Sequence, residues 1–440
     1  MEELSRSKPP SAKQQLEELR ALKGSLSRQI GQAKKVGEDP DILIRRLKAI
    51  SDEVKALQKA EKRKLNKTEA PSESPEESAL TGRASPVQHL SSKSVHQVVT
   101  VVRGEEAETA WDQFVESHPA ATPYHFIKIR SFIEQTYGHT THYCYALSMD
   151  GEMLGVLPLV QLSSKLFGNF IVSVPYFNDG GLLANSQEAA TKLVAAANEW
   201  RQSVGASHVE LRHLQNSGLE LQQRQDKVTF LLPLPAEPEA LWQSFRPKLR
   251  AQIRRAEREE PEFMTGGPEL LDRFYNVFAS NMRDLGTPVY GKDFFLNLLE
   301  HLGESARLVV VKLNGQPAGC AFLIGHAEQM EIPWASTLRE LNTTGINMFM
   351  YWKVLEYAIA NGYRVFDFGR CSKEAGTYKF KQQWGARPIP MHWDYCLPTG
   401  ESLPELNPNN PKFKLLIAIW QRLPVWLTRL IGPHIVKSLP

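Results

Sequence analysis

Residues 376–386 read GTYKFKQQWGA and follow directly on FDFGRCSKEA at 366–375. Successive helical residues turn by about 100°, so Lys379 and Lys381 point about 200° apart, and at most one shares the face of Phe380 and Trp384. One lysine is therefore expected in solvent and the other in a specific role. Just upstream, YRVFDFG reads as a short strand, which makes the whole segment strand, turn and helix.

Working outward, RLVVVKLNGQPAGCAFLIG reads as two strands turning at Asn314-Gly315, EQMEIPWAS as a third, and Asn347 to Ala360 as a helix. Helices are expected from Pro238 to about Glu259 and on through Leu270 and Phe294, and MHWDYCL is expected to end this sheet. The preceding stretch has a similar order. VVTVV at 98–102 is a strand, and helices run around Trp111 to Glu116 and Phe126 to Tyr137. HYCYALSMDGEMLGVLPLVQL turns at Asp150-Gly151; a strand near FIVSVPYF, a helix over Ala189 to Val204 and HVELRH follow. The repeated order predicts an internally duplicated α/β fold, with units at 96–235 and 236–400.

The 440 residues are 42% hydrophobic, 9% aromatic and 23% charged, which excludes fibrous and wholly disordered classes. The net charge of +3 hides an asymmetry: residues 1–67 hold 17 Lys+Arg against 10 Asp+Glu, and the rest hold 35 against 39. In that basic segment Leu43, Leu47, Ile50, Val54 and Leu57 alternate spacings of four and three. With VGEDPD as the turn, this predicts an antiparallel helical hairpin over 1–65, Asp39 capping its second helix and Pro40 opening it. Residues 66–95, rich in Ser, Pro and Glu, read as a flexible linker. Cys144, Cys320, Cys371 and Cys396 are scattered singly, without metal-site or disulfide-framework spacing, which fits a reducing cytoplasm; MEELSRSKPP lacks the apolar core of a signal peptide. His139 and His142 have ligand-like spacing but no third ligand nearby, so no metal is expected. The tail at 401–440 carries Lys412, Lys414, Arg422, Arg429 and Lys437 with no acid beyond Pro411. Pro424 interrupts its apolar run, so it suits a membrane surface or a docked position and not a spanning helix.

FDFGR followed by YKFKQQWGA resembles the Fem-type family of non-ribosomal peptidyltransferases and their GNAT (acetyltransferase-like) relatives. FRPKLRAQIRRAERE, VPYFNDGGLL and the tail beginning NPNNP resemble, within it, the FemAB-like proteins that accompany bacterial exosortase (PEP-CTERM) and exopolysaccharide loci. The resemblance spans roughly residues 97 to 435 and implies tandem GNAT-like domains with a ligand cleft. It implies for Lys381, with Phe380 beside it, an electrostatic role toward the oxyanion of acyl transfer, leaving Lys379 as the solvated lysine. Tyr378 could donate to the same oxygen. Further candidates for substrate contact are Arg250 and Arg254, which share a helix face, Asp179 of the NDGG turn, Asp367 and Arg370 at the strand end, and Trp384. Thr343, Thr344 and Gly345 precede a helix and could hold a pyrophosphate, although the segment lacks the glycine-rich pattern of coenzyme A-binding acetyltransferases.

The N-terminal hairpin resembles the tRNA-binding arm of seryl-tRNA synthetases, and its basic surplus suits phosphate contacts; a docking coiled coil suits the same pattern. The sequence thus points to a cytoplasmic acyl- or aminoacyltransferase, with a peripheral place at the inner membrane open to it, that forms an amide on an envelope or exopolysaccharide precursor. Its donor would be aminoacyl-tRNA or acyl-CoA, with no bound cofactor required. A coenzyme A-dependent N-acyltransferase and a noncatalytic RNA- or protein-binding scaffold are the alternatives.

Overall fold

The computed structural model describes residues 84–100, 102, 104–373, 376–404 and 411–439, with N-terminal stretches at 19, 22–26, 29–30, 32–33, 39–47 and 49–51. Met1–Glu76 and Glu77–Pro440 form two separate compact units. In the first, 22–26 and 41–47 are helical. Asp39 Oδ1 accepts the Asp41 N–H at 3.0 Å, and the Pro40 carbonyl accepts that of Ile44, so the second helix is capped at its start. Residues 36–38 of the expected turn and the linker from 66 through residue 83 lie outside the described residues.

The larger unit begins with β1 (Gln97–Val99), α1 (Glu105–Ser117), α2 (Ile127–Tyr137), β2 (Cys144–Leu147), β3 (Met153–Leu157), β4 (Val160–Ser164), β5 (Gly168–Val172), β6 (Leu183–Ala184), α3 (Gln187–Ser203), β7 (Val209–His213) and β8 (Gln222–Arg224). β9 (Lys227–Pro233) ends this half, and the second half runs α4 (Pro238–Ser244), α5 (Pro247–Glu257), β10 (Glu262–Gly266), α6 (Leu271–Leu285), α7 (Lys292–Leu302), β11 (Ala306–Leu313), β12 (Gln316–His326), β13 (Gln329–Thr337) and α8 (Ile346–Ala360). Then come β14 (Val365–Asp367), β15 (Cys371–Ser372), α9 (Gly376–Gln382), β16 (Arg387–Pro390), β17 (His392–Cys396), α10 (Pro411–Trp420) and α11 (Val425–Val436).

Alternation along β11 and β12 sets the layers of the second half. Leu308, Val310 and Phe322 pack with Phe274, Phe278 and Phe295 of α6 and α7, while Val309, Val311 and Leu323 pack with Ile253 of α5 and Leu355 of α8. The Asn314-Gly315 turn has both residues at positive φ, as a tight hairpin requires. The continuous helix expected from Pro238 to Glu259 is broken at Phe245–Arg246, because Pro247 holds the residue before it extended and itself opens α5.

The halves exchange strands, which corrects the expected boundary. β9 joins the second-half sheet, in the order β10-β11-β12-β13-β14-β9-β15 with β16 also on β9. β17 leaves that sheet and sits between β7 and β8 in the order β4-β5-β7-β17-β8. All five residues of β17 are buried, as a central strand requires. Asp394, fully buried, accepts from His213 Nδ1 at 3.1 Å, Ser217 Oγ at 2.7 Å and Gln223 Nε2 at 2.9 Å, all in the first half. Its polar partners select the sheet it enters.

One end segment differs from expectation, and the other takes one of the two positions expected for it. Residues 84–95 of the expected linker are docked: Val87 bridges Ala184, Val95 is buried, and Gln88 N–H bonds the Ala184 carbonyl at 2.7 Å. Two apolar anchors suffice there, and average composition conceals them. The tail packs inward through Thr428, Gly432 and Val436, with Arg429 bonded to Asn276 at 2.8 Å. Its outer face exposes Leu415, Leu416, Ile419, Trp426 and Leu430. Among the described residues no helix is long and apolar enough to cross a membrane.

Candidate active site

β13 and β14 run parallel for three residues, Gln329↔Val365, Met330↔Phe366 and Glu331↔Asp367, and then part. β13 continues against β12, while the chain after Asp367 turns away through Gly369. Gly369 has φ +74, and a Cβ there would lie 3.3 Å from the Ile332 carbonyl, so the turn calls for glycine. Asp367 braces it, accepting from Thr229 Oγ1 at 2.5 Å, Gly369 N–H at 2.7 Å and Gln329 Nε2 at 3.2 Å. Its carboxylate is thus engaged in building the turn rather than turned toward a substrate.

α9 packs beside this turn. Trp384, 1% exposed just past its end, meets Phe245 at 5.6 Å, and Phe380 meets Tyr351 edge-on at 4.9 Å. Trp384 is a core residue, which corrects its reading as a substrate contact: the turn at Gly385 folds the ring inward. Tyr378 is half-buried with its ring edge-on to Phe230 at 4.8 Å. Lys379 is exposed. Lys381 is 6% exposed, and its ammonium donates to the carbonyls of Gly369 at 2.6 Å and Arg370 at 3.1 Å. An ammonium has three N–H groups, so one remains beyond these two bonds. Burial pushes the Lys381 pKa down; nearby Cys371, Asp367 and Glu331 oppose the shift, and Arg370 adds to it.

The second wall comes from the first half. Glu331 accepts from Tyr124 OH at 2.5 Å and Asn178 Nδ2 at 3.0 Å, linking β13 to the FNDGG turn. Asp179 follows Asn178, and Gly180 N–H bonds the Arg212 carbonyl at 3.2 Å. Glu331, Tyr124 and Asn178 escaped sequence reasoning, although a lone acid in the apolar run QMEIPWA was a usable signal for Glu331. Arg370 lies on the turn itself, its guanidinium 5.0 Å from the Trp393 ring centre.

Other candidates lie apart from this turn. Arg250 donates to Gln243 at 3.1 Å and Arg254 stacks over Trp242 at 5.4 Å, so both hold α5 to α4. The Thr343 carbonyl accepts from Arg255 at 2.9 Å, and the Thr344 hydroxyl accepts the Ile346 N–H at 3.3 Å. Gly345, φ +79, caps α8, so part of that helix terminus is already satisfied. His139 bonds Tyr176 OH at 2.8 Å and the Lys437 carbonyl at 2.9 Å, while His142 stacks on Trp200 at 4.3 Å. Among the described residues no group of three or more His, Cys, Asp or Glu could hold a metal. An open cleft of about 580 Å³ beside Arg246, Gln383 and Trp384 does not include Lys381 in its lining.

Residues 243–382 match the model of an acetyltransferase (GNAT) domain, and residues 6–71 match that of the seryl-tRNA synthetase N-terminal domain. No curated protein matches the chain. Among solved structures, FemX superposes with a TM-score of 0.51 at 16% identity, over 73% of this chain and 100% of its own. A tandem GNAT protein from the clavulanic acid biosynthesis pathway gives 0.47 at 12%, over 70% and 99%. L-PGS from Bacillus licheniformis gives 0.43 at 13%, over 69% and 96%. At such identities the likeness concerns the fold, which is mixed α/β and GNAT-like.

Proposed function

We propose that the chain is an acyl- or aminoacyltransferase that forms an amide on a cell-envelope or exopolysaccharide precursor, as FemAB-like proteins of exosortase-associated systems are expected to do. The observation that carries this reading is the buried Lys381 ammonium, oriented by two carbonyls at the parting of β13 and β14. In such a transfer the acceptor amine attacks the donor carbonyl carbon, and charge collects on the carbonyl oxygen. The third N–H of Lys381 would stabilise that oxyanion in a site of low dielectric. The tetrahedral intermediate then expels the tRNA hydroxyl or the thiol, and the amine proton leaves to solvent or to the departing group. Tyr378, with Phe380 beside it, would line the approach.

The match at 6–71 to a seryl-tRNA synthetase arm supports aminoacyl-tRNA as donor, whereas the GNAT match at 243–382 supports acyl-CoA, with Thr343, Thr344 and Gly345 near its phosphates. Filter binding of tRNA to the full chain separates these: retention of tRNA is expected for the first donor and none for the second. The tail supports action at an anionic membrane surface inside the cell, since its outer face is apolar and its 30 residues from Pro411 carry five basic groups and no acid. With Lys381→Ala, turnover should fall at least about a hundredfold with the fold retained. Full turnover in that variant would remove the proposed role.

A further inference from the structure

Beneath the Lys381 turn, two guanidinium groups share one indole. Arg212 lies 4.5 Å and Arg370 5.0 Å from the Trp393 ring centre. Arg212 is compensated: its Nε and Nη2 reach Glu210 Oε1 at 2.8 and 2.7 Å, and its Nη1 reaches the Phe177 carbonyl at 2.7 Å. Glu210 is consumed by that pair and by Tyr395 OH at 2.5 Å. Arg370 is half-buried and has no carboxylate or carbonyl acceptor among the described residues, and its surroundings, burial first and Arg212 second, push its pKa down to about 10. Tyr290 and Arg370 feel each other electrostatically, and the Tyr290 hydroxyl makes no hydrogen bond to the described residues. A desolvated cation without an acceptor is costly to a fold and is kept where a ligand completes it.

We propose that Arg370, with Tyr290 as a second donor, binds a phosphate group of a substrate beside the turn that holds Lys381. The planar fork of a guanidinium matches two oxygens of a phosphoryl group, and the Lys381 ammonium on the same turn adds the second positive charge that suits a dianion. The site deepens the transferase reading by giving its donor or acceptor a phosphate close to the reacting carbonyl, but anion binding itself requires no turnover.

The test is thermal unfolding of the full chain at fixed ionic strength with inorganic pyrophosphate, inorganic phosphate or acetate as probe. Pyrophosphate at about ten times its dissociation constant should raise Tm by about 3 °C, and acetate should not. Arg370→Gln should abolish the rise and leave the ligand-free Tm equal or higher, since it removes an uncompensated charge. Arg364→Gln, at an exposed ion pair with Glu328, should keep the rise. Where Arg370→Gln yields no folded protein, Arg370→Lys serves, and its pyrophosphate affinity should fall about tenfold. An unchanged rise in either Arg370 variant, an equal rise with acetate, or loss of the rise in Arg364→Gln would overturn the site. Binding without transfer removes the transferase reading and leaves the site standing; transfer without binding does the reverse.

Discussion

At the residue scale the molecule keeps several ionisable groups under cover. Of two lysines in one short helix, only Lys381 is buried, because α9 must turn Trp384 and Phe380 toward the core and Lys381 shares that side. The 200° separation made this opposition legible, but which carbonyls would hold the ammonium was not, since Gly369 and Arg370 are brought there by a turn. Arg212 and Glu210 alternate along one strand and share its face, while Trp393 reaches Arg212 from a distant segment. Histidines give a measurable consequence. His118 is buried, accepts the Ala120 N–H on Nδ1 at 3.2 Å, and has its pKa pushed down to about 4 by burial; burial takes His142 to about 4 as well. Both are neutral in the fold and titrate near 6.5 when unfolded, so the unfolded chain binds more protons between those values. Stability is therefore whole above pH 6.5 and declines as pH falls toward 4, by on the order of 3 kcal/mol for buried His118 and by less for half-buried His142, which solvent screens. Tm measured across that range should show the decline, and His118→Asn should make it shallower; parallel profiles would contradict the assignment.

At the scale of elements, local sequence signals were reliable where the chain turns on itself. Asn314-Gly315 and the Asp39-Pro40 helix start needed nothing distant, whereas the docking of residues 84–95 depends on Ala184 and was invisible to composition. The NDGG turn illustrates close approach. A Cβ on Gly181 would overlap His213 Nε2 and lie 2.7 Å from the Arg212 carbonyl. Gly181→Ala should therefore cost about 2 kcal/mol or more, lowering Tm by about 5 °C; an unchanged Tm would mean that the turn relaxes freely. The tail offers a second test. Trp426→Ser combined with Leu430→Ser should reduce sedimentation with phosphatidylglycerol vesicles about tenfold while leaving Tm unchanged, because both side chains are exposed. Equal sedimentation would assign that face to something other than lipid.

At the scale of the whole molecule, strand exchange makes the two halves of residues 77–440 one body. β9 and β17 each complete the sheet of the opposite half, and one apolar cluster runs from Phe132 and Phe177 to Phe294 and Phe322. The duplicated order of elements was readable, but the exchange was not, because strand pairing is set by partners far along the chain. Fragments 84–235 and 236–440 should each lack cooperative unfolding when expressed alone and should recover it when expressed together, as circular dichroism during heating would report. A cooperative transition in either isolated fragment would show that the exchange is dispensable.

The most direct measurement is transfer of a radiolabelled acyl group to the cellular pool of nucleotide-linked and lipid-linked envelope precursors, supplied in parallel from aminoacyl-tRNA and from acetyl-CoA. Wild-type chain should transfer from one of these donors, and Lys381→Ala with a matched Tm should transfer at least about a hundredfold more slowly. No transfer from either donor by the wild type, or equal rates for the two proteins, would contradict the account.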